Sequence, residues 1–376
     1  MNKLLKKIYA VGLITGLYFC LSFHFGSDLQ LKSYFQYRPP KVDFLRELKL
    51  HPDYKSTGLN FQPKHPGIIP YNTTVLQKLK TLYPYDSAQP IPKQIFKMWK
   101  VGLDDPEFPQ HFREYHQTWL DNSPDYTHRV MSNDERDALV LKLYADIPEI
   151  THAYKIMPKT MNRCDFSSYL LLYALGGIYA DIDTKLLKPI SSWIPSQSSY
   201  LGKSLDLGLI VGIESDYHKG NWARFFARRL QIEAWTFLAK KGHPMLAEII
   251  DNITEYTYWR EETGKLAEVL GKDEAADVLN WAGPGRLTDL VFKYLNNILQ
   301  TDFDSYEKLI DDEFLIGIKL PVVIFDAMVL PLTCMQPGEH SRILQSGNLD
   351  DPLAYIHHIS AGSWRKHNKG KSIYVE

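Results

Sequence analysis

The chain has 376 residues, of which 44% are hydrophobic and 13% aromatic, and its formal net charge is −1. That length allows one large core plus some connector, while the near-neutral charge, with no basic stripe interleaved with aromatics, excludes a general attraction to nucleic acid. Twenty-three tyrosines and eight tryptophans exceed what packing alone demands and suit a cleft that binds sugar rings.

Lys3, Lys6 and Lys7 precede an uncharged run from Ile8 to Phe25, IYAVGLITGLYFCLSFHF. At about 1.5 Å per residue, this run just crosses a hydrocarbon core of about 30 Å with some snorkelling at its ends. The next positive charge is Lys32, so the expectation is a cytosolic tail over 1–7, a single-pass signal anchor over 8–25 and the rest of the chain in the lumen. A cleaved signal peptide is the rival reading, but it requires a shorter apolar region and a small-x-small cleavage site. Two N-x-[ST] triplets, Asn72-Thr73-Thr74 and Asn252-Ile253-Thr254, fit a luminal chain. Cys20 lies in the apolar run, and Cys164 and Cys334 are expected to be two buried free thiols rather than a bridge.

Prolines from Pro39 to Pro84 break the next stretch, which sustains no helical or strand period, so 26–89 reads as a stem and 90–376 as the luminal domain. IPKQIFKMW predicts a first buried strand, FREYHQTWL a helix and DYTHRVM a second strand. Ser132 with Glu135 forms a capping box for a helix from Asn133 to about Ala145. Strands alternating with helices imply an α/β fold with a central, mainly parallel sheet.

Lys159 to Leu175 reads as a helix stopped by Gly176-Gly177, where glycine supplies a left-handed cap. Asp165, Ser168, Tyr169 and Leu172 share one face of that helix. IYADID follows as a short strand whose alternation puts Asp181 and Asp183 on the same side. Two carboxylates at a strand end, where a parallel sheet opens its ligand crevice, repel each other unless a cation is present. Oxygen ligands at this spacing suit Mn²⁺ or Mg²⁺, which keep open positions for substrate phosphates, and so predict a diphosphate partner. Solvated strand-end acids are the plain alternative, and they fit the second D-x-D, Asp302 and Asp304, which lies in a polar stretch without glycines. A metal-free glycosidase pair is a further reading, since strand neighbours at this offset lie about 6 to 7 Å apart.

Gly283 to Arg286, GPGR, reads as a turn opening a helix rather than a dinucleotide fingerprint, although that helix start could face a phosphate. His357 and His358 follow the strand-like LAYI and offer imidazole nitrogen to a nearby metal, or a purely structural role.

The segments IPKQIFKMWK, SPDYTHRVMSNDE, MPKTMNRCDFSSYLLLYALGGIYADIDTKLLKP, NWARFFARRLQIEAWTFLAKKGHPML, WAGPGRLTDLVF and DPLAYIHHISAGSWRK together resemble the fungal initiation-specific alpha-1,6-mannosyltransferases and their Golgi paralogues. The likeness runs from about Pro90 to Lys366. It implies a GT-A fold, GDP-mannose as donor, Mn²⁺, and retaining alpha-1,6 transfer of mannose onto N-linked glycans of glycoproteins at the Golgi membrane. By position it makes Asp183 the principal metal ligand and Asp181 a contact to the nucleotide ribose and the metal. Asp165 and Tyr169 belong to the donor site, His358 completes the metal shell, and Trp364 walls the site. Two departures stand out: Ser168 occupies a position where relatives often carry an arginine, and Lys97-Met98 replace a glutamine-threonine pair. Either another cation, Lys97 or Arg163, substitutes for the arginine, or the chain is a weakly catalytic subunit of a mannan polymerase complex. An enzyme acting on an inositol-phosphoceramide lipid is the third reading, disfavoured because the C-terminal SWRKHNKGKSIYVE lacks the apolar membrane segments of such relatives.

Overall fold

The computed structural model describes residues 74–216, 222–299, 310–338 and 346–362. The expected membrane anchor, Cys20, Asn72, Asp302, Asp304 and Trp364 lie outside the described residues.

Helix α1 (Val75–Leu82) leads into strand β1 (Gln94–Met98), helix α2 (Gln110–Asn122), strand β2 (Thr127–Met131), helices α3 (Asn133–Leu143), α4 (Pro148–Ile156) and α5 (Thr160–Leu175), and strand β3 (Gly177–Ala180). Short strands β4 (Thr184–Leu186), β5 (Ser199–Tyr200) and β6 (Lys203–Ser204) precede the long strands β7 (Leu209–Asp216) and β8 (Leu230–Ala239). Helices α6 (Pro244–Glu262), α7 (Glu274–Trp281), α8 (Pro284–Leu299) and α9 (Asp312–Leu315) follow, then β9 (Val322–Ile324), β10 (Ala327–Leu330), α10 (Leu332–Met335) and β11 (Ile356–His358).

Seven strands form the central sheet in the order β2-β1-β3-β8-β7-β10-β9. β1 pairs in parallel with β2 and β3, and β7 with β10, while β8 and β9 run antiparallel to their neighbours. The result is the mixed, mainly parallel α/β architecture expected from the alternation of elements. One face carries Phe96, Val211, Ile232 and Phe237 against the helix layer that includes α5, α6 and α8. The other carries Ile95, Ile178, Ile210 and Met328 against Trp119 of α2, the β4–β11 pair and α10. Every residue of β3 and β8 is buried, as a sheet covered on both sides requires, and β8 carries the polar Gln231, Glu233 and Thr236 among its apolar residues.

Ser132 and Glu135 exchange the reciprocal bonds of the expected capping box, although α3 stops at Leu143. The glycine pair ends α5 as expected but not in the expected conformation. Gly176 has φ 70° and ψ −177°, an extended, glycine-only geometry that turns the helix straight into β3. A Cβ on Gly177 would stand 2.6 Å from Gln94 O, so the glycines also let β1 approach.

The last stretch of the expected stem is part of this fold. α1 has its own capping box, between Thr74 and Gln77, and its Leu79 is fully buried. Tyr83 packs edge-on against Tyr144 and Tyr173 and donates to Leu143 O at 2.7 Å. Eight helical residues followed by Pro84 are too few to display a period, which hid this helix in the sequence. The triplet at Asn252 also reads differently in place. It lies within α6, where Ile253 and Thr254 are buried, Thr254 donates to Ile250 O, and Asn252 Oδ1 accepts from Arg286 Nη1 at 2.8 Å. A bulky glycan needs an open surface acceptor, so this triplet does not serve as one in the folded domain. Cys164 and Cys334 are both free, but only Cys334 is buried, while Cys164 is half-buried.

Asp326, before β10, ties the amino-terminal stretch to the sheet. It accepts from Tyr85 OH at 2.9 Å and Tyr294 OH at 2.8 Å and lies 3.2 Å from His243 Nε2. Burial alone would raise its carboxyl, but His243 and the two hydroxyls hold it below the ordinary range. A depressed folded value contributes stability that is present above the unfolded pKa and is lost as pH falls through the folded one. Asp326→Asn should therefore lower stability at pH 7 by about 1–3 kcal/mol. The deficit should shrink as the solution is acidified below the usual aspartate range, as read by denaturant titration at each pH.

Candidate active site

β3 ends at Ala180, and the next residues turn back to form β4. Asp181 and Asp183 thus lie in a turn rather than on the strand expected to carry them, with Ile182 between them buried against Phe108 and Phe112. The turn begins in register with the sheet, since Asp181 N donates to Trp235 O at 2.8 Å. It is held from beneath by Lys97, whose side chain is wholly buried in β1. Lys97 Nζ donates to Asp181 O at 3.0 Å and to Thr184 Oγ1 at 2.9 Å, and Thr184 Oγ1 in turn donates to Asp181 O at 2.6 Å. Trp119 closes the base, with its ring 4.3 Å from the ammonium and its Nε1 donating to Thr184 O.

Above the turn, Asp181, Asp183 and His358 bring one ligand atom each to within 4.8 Å of one another. His358 Nε2 lies 3.2 Å from Asp183 Oδ1, and Ala361 N donates to Asp183 Oδ2 at 2.9 Å. Tyr179 OH donates to Asp181 Oδ1 at 2.6 Å. The β4–β11 pairing delivers His358 opposite Thr184, and its ring stacks on Trp235 at 4.5 Å. His357 pairs with Lys185 and is not a member of this cluster, so of the two histidines the structure brings His358 to the carboxylates. Burial and then the charge of Asp183 push the Asp181 carboxyl up. Burial also works against Asp183, but His358 holds that carboxyl well below its usual range. Two carboxylates and an imidazole are a donor set that suits Mn²⁺, and the mutual repulsion of the acids is what a divalent ion would relieve.

Asp165, on α5, lies beside the loop between α7 and α8, where a Cβ on Gly283 would come within 3.2 Å of its Oδ2. Burial, Asp181 and Glu214 together drive its carboxyl well above the usual range. Tyr169 does not line a donor site as expected. It is fully buried, packs 5.4 Å from Phe237 and donates to Ala282 O at 3.0 Å, so it secures the same loop from inside. Ser168 is also fully buried, and its hydroxyl donates to Asp165 O. Arg286 of the GPGR turn is spent on Asn280 O and Asn252 rather than on an open phosphate position.

Residues 109–200, which include all three aspartates, match the family described as glycosyltransferase sugar-binding region containing DXD motif. The initiation-specific alpha-1,6-mannosyltransferase of Candida albicans is 43% identical over 88% of this chain and 86% of its own length. The chain belongs to the initiation-specific alpha-1,6-mannosyltransferase family. The Saccharomyces cerevisiae protein of the same name is 31% identical over 93% of each chain. Among solved structures, the PaToxG glycosyltransferase aligns with 60% of this chain and 77% of its own at 16% identity and a TM-score of 0.33, too distant to carry an argument.

Within this mannosyltransferase-family chain, the two departures noted in the sequence have different structural meanings. Lys97 is a support beneath the D-x-D turn, not a cation reaching the donor; the sequence marked it as a departure, but only the fold shows that its ammonium lies under the turn. Lys97→Met keeps the length of the side chain but leaves Asp181 O and Thr184 Oγ1 short of a donor, which should lower stability by about 1–3 kcal/mol. Calorimetric unfolding would measure it. Ser168 offers no route to the site, so Ser168→Arg would bury a guanidinium in a packed helix face. We expect it to lower the melting temperature strongly and to leave donor affinity unimproved, with Ser168→Ala nearly neutral.

Proposed function

We propose that this chain transfers mannose from GDP-mannose, with retention and in alpha-1,6 linkage, onto N-linked glycans of glycoproteins, using a GT-A fold and Mn²⁺. The observation that carries this reading is the convergence of Asp181, Asp183 and His358 from two separated stretches, in a chain 43% identical to a relative named initiation-specific alpha-1,6-mannosyltransferase.

Asp183 and His358 would hold the ion, with Asp181 on its nucleotide side. The ion supplies Lewis-acid stabilisation of the departing diphosphate. Asp183 is fixed for that role by the Ala361 amide and the imidazole, and Asp181 by Tyr179 and by the supported turn. Asp165, beside the Gly283 loop, would offer its carboxyl oxygens to hydroxyls of the donor sugar. Tyr169 and Gly283 set the depth at which that carboxyl lies. Front-face attack by the acceptor hydroxyl, assisted by the leaving phosphate, accounts for retention without a protein nucleophile.

The lysine-flanked apolar run supports a type II topology in the Golgi membrane, with the domain in the lumen. Protection of the domain from protease in intact vesicles is the expected result, and full digestion would reject the topology.

Transfer assays with several nucleotide sugars, with and without Mn²⁺, should single out GDP-mannose and lose activity in chelator. Asp183→Asn should reduce turnover by at least about a hundredfold and lower stability by about 1 kcal/mol, because it removes the carboxylate that His358 and the Ala361 amide hold. Full activity in excess chelator would instead indicate the metal-free glycosidase chemistry.

A further inference from the structure

β7 and β8 slip out of register twice. Between the pairs Val211–Phe237 and Ile213–Ile232, β7 advances two residues and β8 five. Between Ile213–Ile232 and Ser215–Gln231, β7 advances two and β8 one. β8 therefore carries three surplus residues in the stretch from Glu233 to Thr236, and β7 one surplus residue at Glu214. Such bulges re-aim side chains and concentrate beside active sites. The first of these includes Trp235, whose carbonyl receives the Asp181 amide and whose ring stacks on His358. The irregularity thus lies against the Asp181–Asp183–His358 cluster.

The bulges present an unusual set of polar groups. Glu233 is fully buried, and neither carboxyl oxygen has a hydrogen-bond partner among the described residues. Trp235 is 6% exposed, and its Nε1 is likewise unpartnered. The Glu233 carboxyl occupies the space over Gly212, where a Cβ would collide with Oε1. Glu214 is half-buried, accepts from Gln231 Nε2 at 2.6 Å, and its charge bears on Asp165, Glu233 and His358 alike. A buried carboxyl without partners weakens a fold, and an apolar side chain would pack there better. Glu233 shares the bulged strand with Trp235, which backs His358, and feels the charge of Glu214, so a partnerless carboxyl in this place points to a ligand.

A second cation does not fit that ligand, because among the described residues only Asp181, Asp183 and His358 converge closely enough to hold one. Burial and then Glu214 push the Glu233 carboxyl well above the usual range, and both of its oxygens are open to a ligand among the described residues. Two carboxyl groups and an indole N–H form a mixed set of acceptors and donors, which is what neighbouring sugar hydroxyls require. We propose that Glu233, Trp235 and Glu214 form a hydroxyl-binding subsite for the hexose that reacts beside the Asp181–Asp183–His358 cluster. The assignment rests on the glycosyl-transfer reading above. The hexose is that of the donor or that of the acceptor, and kinetics separates the two.

The test compares wild type, Glu233→Gln and Glu214→Gln by KM for GDP-mannose, KM for a mannoside acceptor, calorimetric affinity for GDP with Mn²⁺, and thermal unfolding. The expected result is a rise of about tenfold or more in one KM, with GDP affinity unchanged. A rise in the donor KM assigns the subsite to the donor sugar, and a rise in the acceptor KM assigns it to the acceptor. If Glu233→Gln fails to fold, Glu214→Gln decides, because its side chain is only half-buried. Folded variants that match wild type in both KM values overturn the proposal. A wild-type protein that transfers no mannose rejects the mannosyl-transfer reading alone. Saturation-transfer NMR with methyl α-mannoside then decides: binding that is lost in Glu214→Gln sustains the subsite, and no binding to wild type removes it.

Discussion

A single buried ammonium underlies the site. Lys97 projects from β1 beneath the turn that carries Asp181 and Asp183, and it holds the carbonyl at the start of that turn and the hydroxyl at its end. Burial drives its pKa down to about 7, against the pull of the two acids, so the protein retains this group in an environment that disfavours its charge. Trp119 shares the task, with its ring against the ammonium and its indole N–H on the Thr184 carbonyl. A turn fixed from below can hold two repelling carboxylates above it without folding away from them. The arrangement separates work between levels, with backbone shape set by buried groups and the side-chain carboxylates left to gather above the turn with His358.

The second constraint is the close packing of β1 on β3 after α5. Gly176 and Gly177 remove the side chains that would strike Pro92 and Gln94, so the helix, the strand and the D-x-D turn follow one another without a connecting loop. Asp165 and Asp181 are therefore set on the same rigid unit, only a helix end and a four-residue strand apart. His358 comes from far along the chain, but it is brought in by a ladder with β4, the strand that leaves the same turn. Regular backbone bonds, rather than a mobile loop, place the imidazole within 3.2 Å of Asp183.

What the sequence showed follows from which forces leave a local signature. Capping at Ser132, the glycine stop after Leu175 and the apolar runs of β1 and β3 act over a few residues and were legible. The triad was legible in part: the two aspartates stood out from their surroundings, while the choice of His358 over His357 rested on resemblance until the β4–β11 register placed it. Misplaced features depend on tertiary contacts. Tyr169 shares a helical face with Asp165, yet helix spacing does not say that its hydroxyl is committed to Ala282. Ser168 differs from its counterparts in relatives, but a sequence difference cannot reveal that the side chain faces inward. Helix α1 was missed because it is short and flanked by prolines, and it is stable only because Leu79 and Tyr83 find partners on distant helices.

β8 lies where these constraints meet in the fold. One strand antiparallel to its neighbours divides the sheet into a β2-β1-β3 half and a β7-β10-β9 half. The first half contributes the D-x-D turn, and the second contributes Glu214. A regular β8 would join them with a continuous ladder and leave no room for a polar group between. Three surplus residues interrupt that ladder beside the Asp181 amide, and Gly212 leaves space for the Glu233 carboxyl. The same interruption places Trp235 so that its backbone supports the turn and its ring backs His358. The departure from regular register thus falls where the Asp181 turn of one half meets Glu214 of the other, while the apolar residues of the flanking strands pack against the layers on either side.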